Sequence, residues 1–286
     1  MMYELLPGVG FFGAAVAGGE AAPGALPVVI VSHGHTGTRL VYSQLCEALA
    51  REGYVVVSLD HPGDTMADVI LGAGVDEATN IEMRVADLHC LYELLIGRRE
   101  GLNHGLTLDT SRVHALGHSF GAYAVVEWAS RGGAEGTLAS VIALQPYLVP
   151  MTPAALQRVT TPLLLVAGEK DQTTPVSTNV MPALEHLPSE FVTAVVLDGV
   201  GHQGCSDVGL YIETAPTLPG VPAFVLDFLR TMDADTTGVA GEPWRSVAAI
   251  HASLVAAWLS RPGDVTVVRS ALDGAATYRI VASSDS

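Results

Sequence analysis

Lysine is almost missing from this chain: Lys170 is the only one among 286 residues. Lys and Arg together number 14 against 30 Asp and Glu, a formal charge of −16. A surface that acidic repels phosphate backbones and anionic lipid, so nucleic acid and membrane surfaces are excluded as expected partners. Cysteine is scarce too. Cys46, Cys90 and Cys205 are odd in number and none has C-x-x-C spacing. With Cys46 and Cys90 in apolar helix-like stretches, they read as buried free thiols, which fits a reducing compartment. A basic start is absent: Glu4 comes early and no Lys or Arg precedes Arg39, so the N-terminal apolar stretch makes a poor secretory signal and reads as a hairpin. No charge-free apolar run of about 18 residues elsewhere reads as a membrane helix. No His pair shows H-x-x-x-H spacing with a carboxylate on one helix, so no metal is expected. These absences together predict a soluble, cytoplasmic protein.

What is present is an apolar chain, 49% hydrophobic and 15% charged, long enough to bury one substantial core. Val28-Val29-Ile30-Val31 is an unbroken β-branched run, as in a strand buried on both faces. A helix over 42–51 follows, then a strand over 54–59. After a loop at 61–78, Thr79-Asn80-Ile81-Glu82 has capping-box spacing, and Ile81, Val85, Leu88, Tyr92 and Leu95 form one helix face. Strands at 112–117, 138–144, 162–167 and 191–198 alternate with helical patterns at 120–131 and 177–187. Strands separated by helix-length connections predict an α/β fold with a mostly parallel sheet and helices on both faces. One domain over 1–286 is expected. Residues 205–245 read as a lid-like insertion, and 262–286 as a C-terminal hairpin of strands at 265–268 and 277–281 around Asp273-Gly274.

Gly117-His118-Ser119-Phe120-Gly121 sits where a strand pattern turns into a helix pattern. Glycines allow close backbone approach and unusual angles, so Ser119 is placed in a tight exposed corner, the geometry of a nucleophile elbow. Ligands in open α/β sheets bind at the carboxyl ends of strands. Asp171 follows the strand ending at Ala167, and His202 follows the strand ending near Asp198. The chain order Ser119, Asp171, His202 is that of a hydrolase triad. A serine hydroxyl is a weak nucleophile until an imidazole takes its proton, and the imidazole needs a carboxylate to hold its tautomer. Among ten histidines, His202 is singled out by its strand-end position. Asp60 comes before the serine, and Asp198 is too near His202 in sequence. Ser32-His33-Gly34-His35-Thr36-Gly37 follows the first long strand. The backbone N–H groups of His35 and Phe120 are the candidate donors to a tetrahedral oxyanion. His61, Asp64 and Tyr147 are polar residues placed to bind the alcohol portion of a substrate. The loops over the strand ends carry Val69, Ile70, Leu71, Tyr211 and Phe224, an apolar set that suits an uncharged ester.

The pieces VSHGHTGT (31–38), YSQLCEALAREGYVVVSLDHPGDT (42–65), the helix from Arg84 to Asp87, GHSFGA (117–122), GEKDQTTP (168–175) and GHQGCSD (201–207) resemble the serine α/β-hydrolases. The resemblance is to the branch holding platelet-activating-factor acetylhydrolases, dienelactone-hydrolase-like esterases and cutinase-like polyester hydrolases. It implies the α/β-hydrolase fold and ester hydrolysis through an acyl-enzyme, without a cofactor, on a small or medium apolar ester. The same triad would also serve a thioesterase, amidase, acyltransferase or cyclase. A non-catalytic ligand-binding protein is the third reading, and a homodimer is left open.

Overall fold

The computed structural model describes residues 2–6, 9–20, 22–97, 105–136, 138–232 and 244–283. At the N-terminus, β1 (Met2–Leu6) and β2 (Val9–Phe12) pair antiparallel as a separate ribbon. The apolar runs then build one sheet. Its strands are β3 (Ala25–Ser32), β4 (Val55–Leu59), β5 (Thr107–His118), β6 (Leu138–Leu144), β7 (Leu163–Gly168), β8 (Val192–Leu197) and β9 (Tyr278–Ala282). They lie in the order β4-β3-β5-β6-β7-β8-β9, all parallel except β9, which pairs antiparallel with β8.

Side chains alternate between the two faces of a strand, and here both faces are apolar, so each takes a helical layer. Val28, Ile30, Val113, Ala115, Val141, Leu163 and Leu165 face one core. This core is covered by α3 (Glu77–Ile96), α4 (Phe120–Ser130) and α6 (Val176–Leu184). Val29, Val31, Leu116, Ile142, Leu164, Val166 and Val195 face the other, under α1 (Ser43–Arg51), α9 (Trp244–Ser260) and α10 (Val265–Leu272). Each large aliphatic side chain removed from water contributes about 1.5–3 kcal/mol. Short helices α2 (Met66–Ile70), α5 (Pro153–Leu156), α7 (Val208–Thr214) and α8 (Ala223–Thr231) lie in the connections. Among the described residues, no helix is long and apolar enough to cross a membrane.

Several expectations change. Residues 262–286 do not form a hairpin: Val265–Leu272 is α10, and only Tyr278–Ala282 is a strand. Asp264 caps this helix, its side chain accepting from the Thr266 N–H at 2.9 Å. Val265, Val268 and Leu272 are buried at helical spacing, with Val268 and Leu272 in the core that α9 completes. That packing overrides the β-branched preference of Val-Thr-Val-Val. Residues 284–286 lie outside the described residues. Helix α3 starts before Thr79, because Asp76 accepts from the Thr79 N–H at 2.9 Å and caps it. The capping box occurs instead at Thr65 and Asp68, which start α2 inside the stretch read as loop. Cys90 is exposed rather than buried. In the stretch expected as a lid, α7 and α8 hold a small cluster of Val208, Tyr211, Ala215 and Leu229, while 233–243 lies outside the described residues.

Candidate active site

Strand β5 ends at His118 and α4 begins at Phe120, so Ser119 alone makes the turn between them. Its φ is 55° and its ψ −119°, a region that costs a residue with a Cβ about 1–3 kcal/mol. Hydrogen bonds hold it there. The Ser119 N–H donates to the Leu144 carbonyl at 3.0 Å, and the Ser119 carbonyl accepts from Ala122 N–H at 3.0 Å and Tyr147 N–H at 3.1 Å. The flanking glycines are steric necessities. A Cβ on Gly117 would lie 2.1 Å from the Gly121 carbonyl oxygen, and one on Gly121 2.2 Å from that of Ser32. The G-x-S-x-G spacing thus reflects a crossing of β5, α4 and the end of β3.

Three strand ends deliver the polar groups. The His202 ring, in the loop after β8, has Nε2 3.0 Å from Ser119 Oγ and Nδ1 2.8 Å from Asp171 Oδ2. A carboxylate only accepts, so Nδ1 carries the ring proton and Nε2 is left to accept from the serine hydroxyl. Asp171 follows β7 and is locked by the N–H groups of Thr173 (2.9 Å) and Thr174 (2.7 Å) and by Thr174 Oγ1 at 2.7 Å. Burial opposes charge on Asp171, but its bonds to His202 and Thr174 outweigh that and hold its pKa below the ordinary carboxylate value. Ser119, Asp171 and His202 are all buried. The structure therefore brings together the three side chains singled out in the sequence.

The loop after β3 abuts the elbow: a Cβ on Gly34 would lie 3.2 Å from Ser119 Cβ. Among the described residues, neither the His35 N–H nor the Phe120 N–H donates to another group. The His35 and Phe120 rings lie edge to face with centroids 6.4 Å apart. His61 and Asp64 are fully buried and occupied elsewhere, not presented to a substrate. His61 Nε2 is 2.8 Å from Ser32 Oγ and its Nδ1 2.9 Å from Asp87. Asp64 pairs with Arg84 and lies 2.5 Å from His35 Nδ1. Tyr147 stays at the site, its ring edge-on to Phe120 at 5.9 Å and its hydroxyl donating to Glu77 at 3.1 Å.

Sequence reasoning passed over several residues that build this site. His118, the last residue of β5, has its ring 4.7 Å from that of His202, its Nε2 meeting the His202 carbonyl at 2.9 Å and its Nδ1 the Tyr42 hydroxyl at 2.7 Å. Burial, then the nearby His202, pushes His118 down to about 3, so it is neutral. A carbonyl can only accept, so Nε2–H donates to it and the Tyr42 O–H donates to Nδ1. Tyr42 in turn accepts the Gly34 N–H at 3.1 Å. One directed chain thus joins the loop after β3 to the loop carrying His202. Arg84 was visible as an arginine on the apolar stripe of α3, between Ile81 and Leu88. Among the described residues, no group of three or more His, Cys, Asp or Glu is placed to hold a metal ion.

With this geometry in hand, known proteins give a consistent picture. A family described as "Serine aminopeptidase, S33" matches residues 24–157, and one described as "Platelet-activating factor acetylhydrolase, isoform II" matches residues 104–215. Cutinase 1 of Thermobifida cellulosilytica is 28% identical over 179 residues, covering 61% of this chain and 59% of that protein. A probable 1-alkyl-2-acetylglycerophosphocholine esterase of Arthroderma benhamiae is 34% identical over 106 residues, covering 35% of this chain and 27% of that protein. The match thus spans less than two thirds of the length of either relative. The structure of a ferulic acid esterase from Streptomyces cinnamoneus superposes with a TM-score of 0.65 at 21% identity, covering 87% of this chain and 70% of that one. The fold is that of an α/β-hydrolase.

Proposed function

We propose that this α/β-hydrolase cleaves carboxylic esters through an acyl-enzyme on Ser119. The observation that carries the reading is the buried chain from Ser119 Oγ to His202 Nε2 (3.0 Å) and from His202 Nδ1 to Asp171 (2.8 Å) at a strained elbow. His202 accepts the serine proton as Oγ attacks the ester carbonyl carbon. Asp171 keeps the proton on Nδ1 and stabilises the imidazolium. The N–H groups of His35 and Phe120 take the negative charge that forms on the carbonyl oxygen. His202 then hands its proton to the departing alkoxide. Water, deprotonated by the same ring, attacks the acyl carbon and releases the acid and free Ser119.

The printed names of the relatives agree on ester substrates: cutinase, acetylglycerophosphocholine esterase and ferulic acid esterase. Val69, Ile70 and Leu71 at the end of α2, and Phe224 and Phe228 on α8, are exposed apolar side chains in connections that leave strand ends. They support an uncharged, apolar ester, with Tyr147, edge-on to Phe120, beside its alcohol portion. The free thiols Cys46, Cys90 and Cys205 fit a cytoplasmic location.

The test is a fluorophosphonate probe followed by p-nitrophenyl esters of increasing acyl length. Stoichiometric labelling that vanishes in Ser119→Ala, together with ester turnover, is the expected result. Labelling without turnover of any ester would move the same triad to thioester or amide chemistry, and no labelling would end the serine-nucleophile reading.

A further inference from the structure

Arg84 is fully buried, and its charge does not face solvent. Its Nη1 donates to the His33 carbonyl at 2.6 Å and its Nη2 to the Gly34 carbonyl at 3.2 Å. The Gly34 oxygen also accepts the Gly37 N–H at 3.0 Å and lies 2.7 Å from His33 Nδ1. His33 Nε2 accepts the His61 N–H at 3.0 Å, so its ring proton is on Nδ1 and that contact is also a donation. Three donors, one of them a cation, therefore converge on a single carbonyl oxygen.

That carbonyl belongs to the Gly34–His35 peptide unit, whose nitrogen is the His35 N–H. Every described peptide is trans, so pinning the C=O against Arg84 points the N–H to the opposite side. Donors on a carbonyl oxygen also polarise the amide and strengthen its N–H as a donor. The guanidinium carbon lies 4.9 Å from the centroid of the Phe120 ring, in the residue that carries the second N–H. Asp64 holds the cation in place through Arg84 Nε at 3.0 Å and through Nη2. Asp64 also accepts the Thr36 N–H at 3.3 Å, in a residue whose φ is 56°. Both sides of the strained loop are thereby tied to one ion pair.

We propose that Arg84, anchored by Asp64, is a positioning residue that orients and polarises the Gly34–His35 peptide as an oxyanion donor. The proposal rests on the acyl-transfer reading of the site and adds to it how the donor is made. A buried ion pair adds little net stability over a well-packed apolar pair. A purely structural Arg84 would show its loss in stability, through the stranded His33 carbonyl, and not in the rate per folded, labelled site.

The experiment compares wild type, Arg84→Lys and the double variant Arg84→Met/Asp64→Leu, with rates normalised to Ser119 labelled by fluorophosphonate at completion. Folding is checked by near-UV circular dichroism. Losing one oxyanion donor costs about 100- to 1,000-fold in kcat. A donor left in place but neither aimed nor polarised is expected to cost about 10- to 100-fold, with KM changed less than about threefold. Affinity for a trifluoromethyl ketone, which forms an oxyanion on Ser119, is expected to fall in parallel with kcat/KM, while binding of the product acid holds. Arg84→Lys keeps the charge but not the paired donors, and is expected to fall between the other two. A folded double variant with kcat within about twofold of wild type overturns the proposal. If the double variant does not fold, an unimpaired Arg84→Lys overturns it. Wild type that labels and turns over secures the underlying reading independently, whereas inert wild type would remove that reading and the proposal together.

Discussion

At the residue scale, the site is a set of directed hydrogen bonds whose polarity follows from which atoms can only accept. Asp171 illustrates how firmly a side chain can be held: its acceptors are filled by two backbone N–H groups, a threonine hydroxyl and His202. Asp171→Asn keeps the shape but lets the ring take the wrong tautomer. A fall in kcat of about 100- to 10,000-fold is expected, measured as ester turnover per labelled Ser119. Retention of near-normal kcat would move the acid role to another residue. Tyr42→Phe deletes one oxygen and strands both the Gly34 N–H and His118 Nδ1 in a buried space. A loss of about 1–3 kcal/mol is expected from the urea midpoint, together with lower kcat. An unchanged midpoint would show that these groups find other partners.

At the scale of elements, the sheet carries the site, and each helical layer holds the strand ends in register. Trp258 on α9 is fully buried against the second face of the sheet. Trp258→Ala opens a large cavity there, and a loss of about 3–5 kcal/mol is expected, read from chemical denaturation. Because Trp258 itself packs in the core on the opposite face of the sheet from α4, kcat per labelled site is expected to change little. A large drop in kcat with intact stability would show that α9 reaches the chemistry. Helix α10 illustrates why its own reading failed. Val265 to Val268 look like a strand in isolation, but the Asp264 cap and burial beside α9 supply what local preference lacks.

At the scale of the whole molecule, buried histidines set the response to acid. Burial lowers His33 and His118 to about 3 and His114 and His251 to about 4, against an ordinary value of 6.5. Unfolded chains bind these protons near 6.5 and the folded chain does not. The stability they give is therefore complete above that pH and is lost as pH falls toward 4. Each contributes about 1.4 kcal/mol per pH unit inside that window. Asp207, which burial raises to about 6 from 3.8, acts the other way, gaining stability as pH falls through that range. His61 is lowered by burial in the same way and Asp87 is raised by burial as Asp207 is, so five histidines outweigh two carboxyls and the urea midpoint is expected to drop steeply between pH 6.5 and 5. A midpoint that stays flat there would contradict the neutral state of these rings.

The sequence by itself determined the parallel α/β order, the elbow at Ser119 and the pairing of that serine with His202 and Asp171. Those features are written in local demands: glycines where backbones cross, apolar runs where strands are covered on both sides, and reactive residues just past strand ends. Only the tertiary structure decided that His61 and Asp64 belong to a buried network, that 265–272 is helical, and that Arg84, Tyr42 and His118 hold the site. The reason is physical. Arg84 meets Gly34 across 50 residues, and His118 meets Tyr42 across 76 and His202 across 84. Contacts made over such distances leave no periodicity or spacing in the chain, and exist only once the sheet has brought the strand ends together.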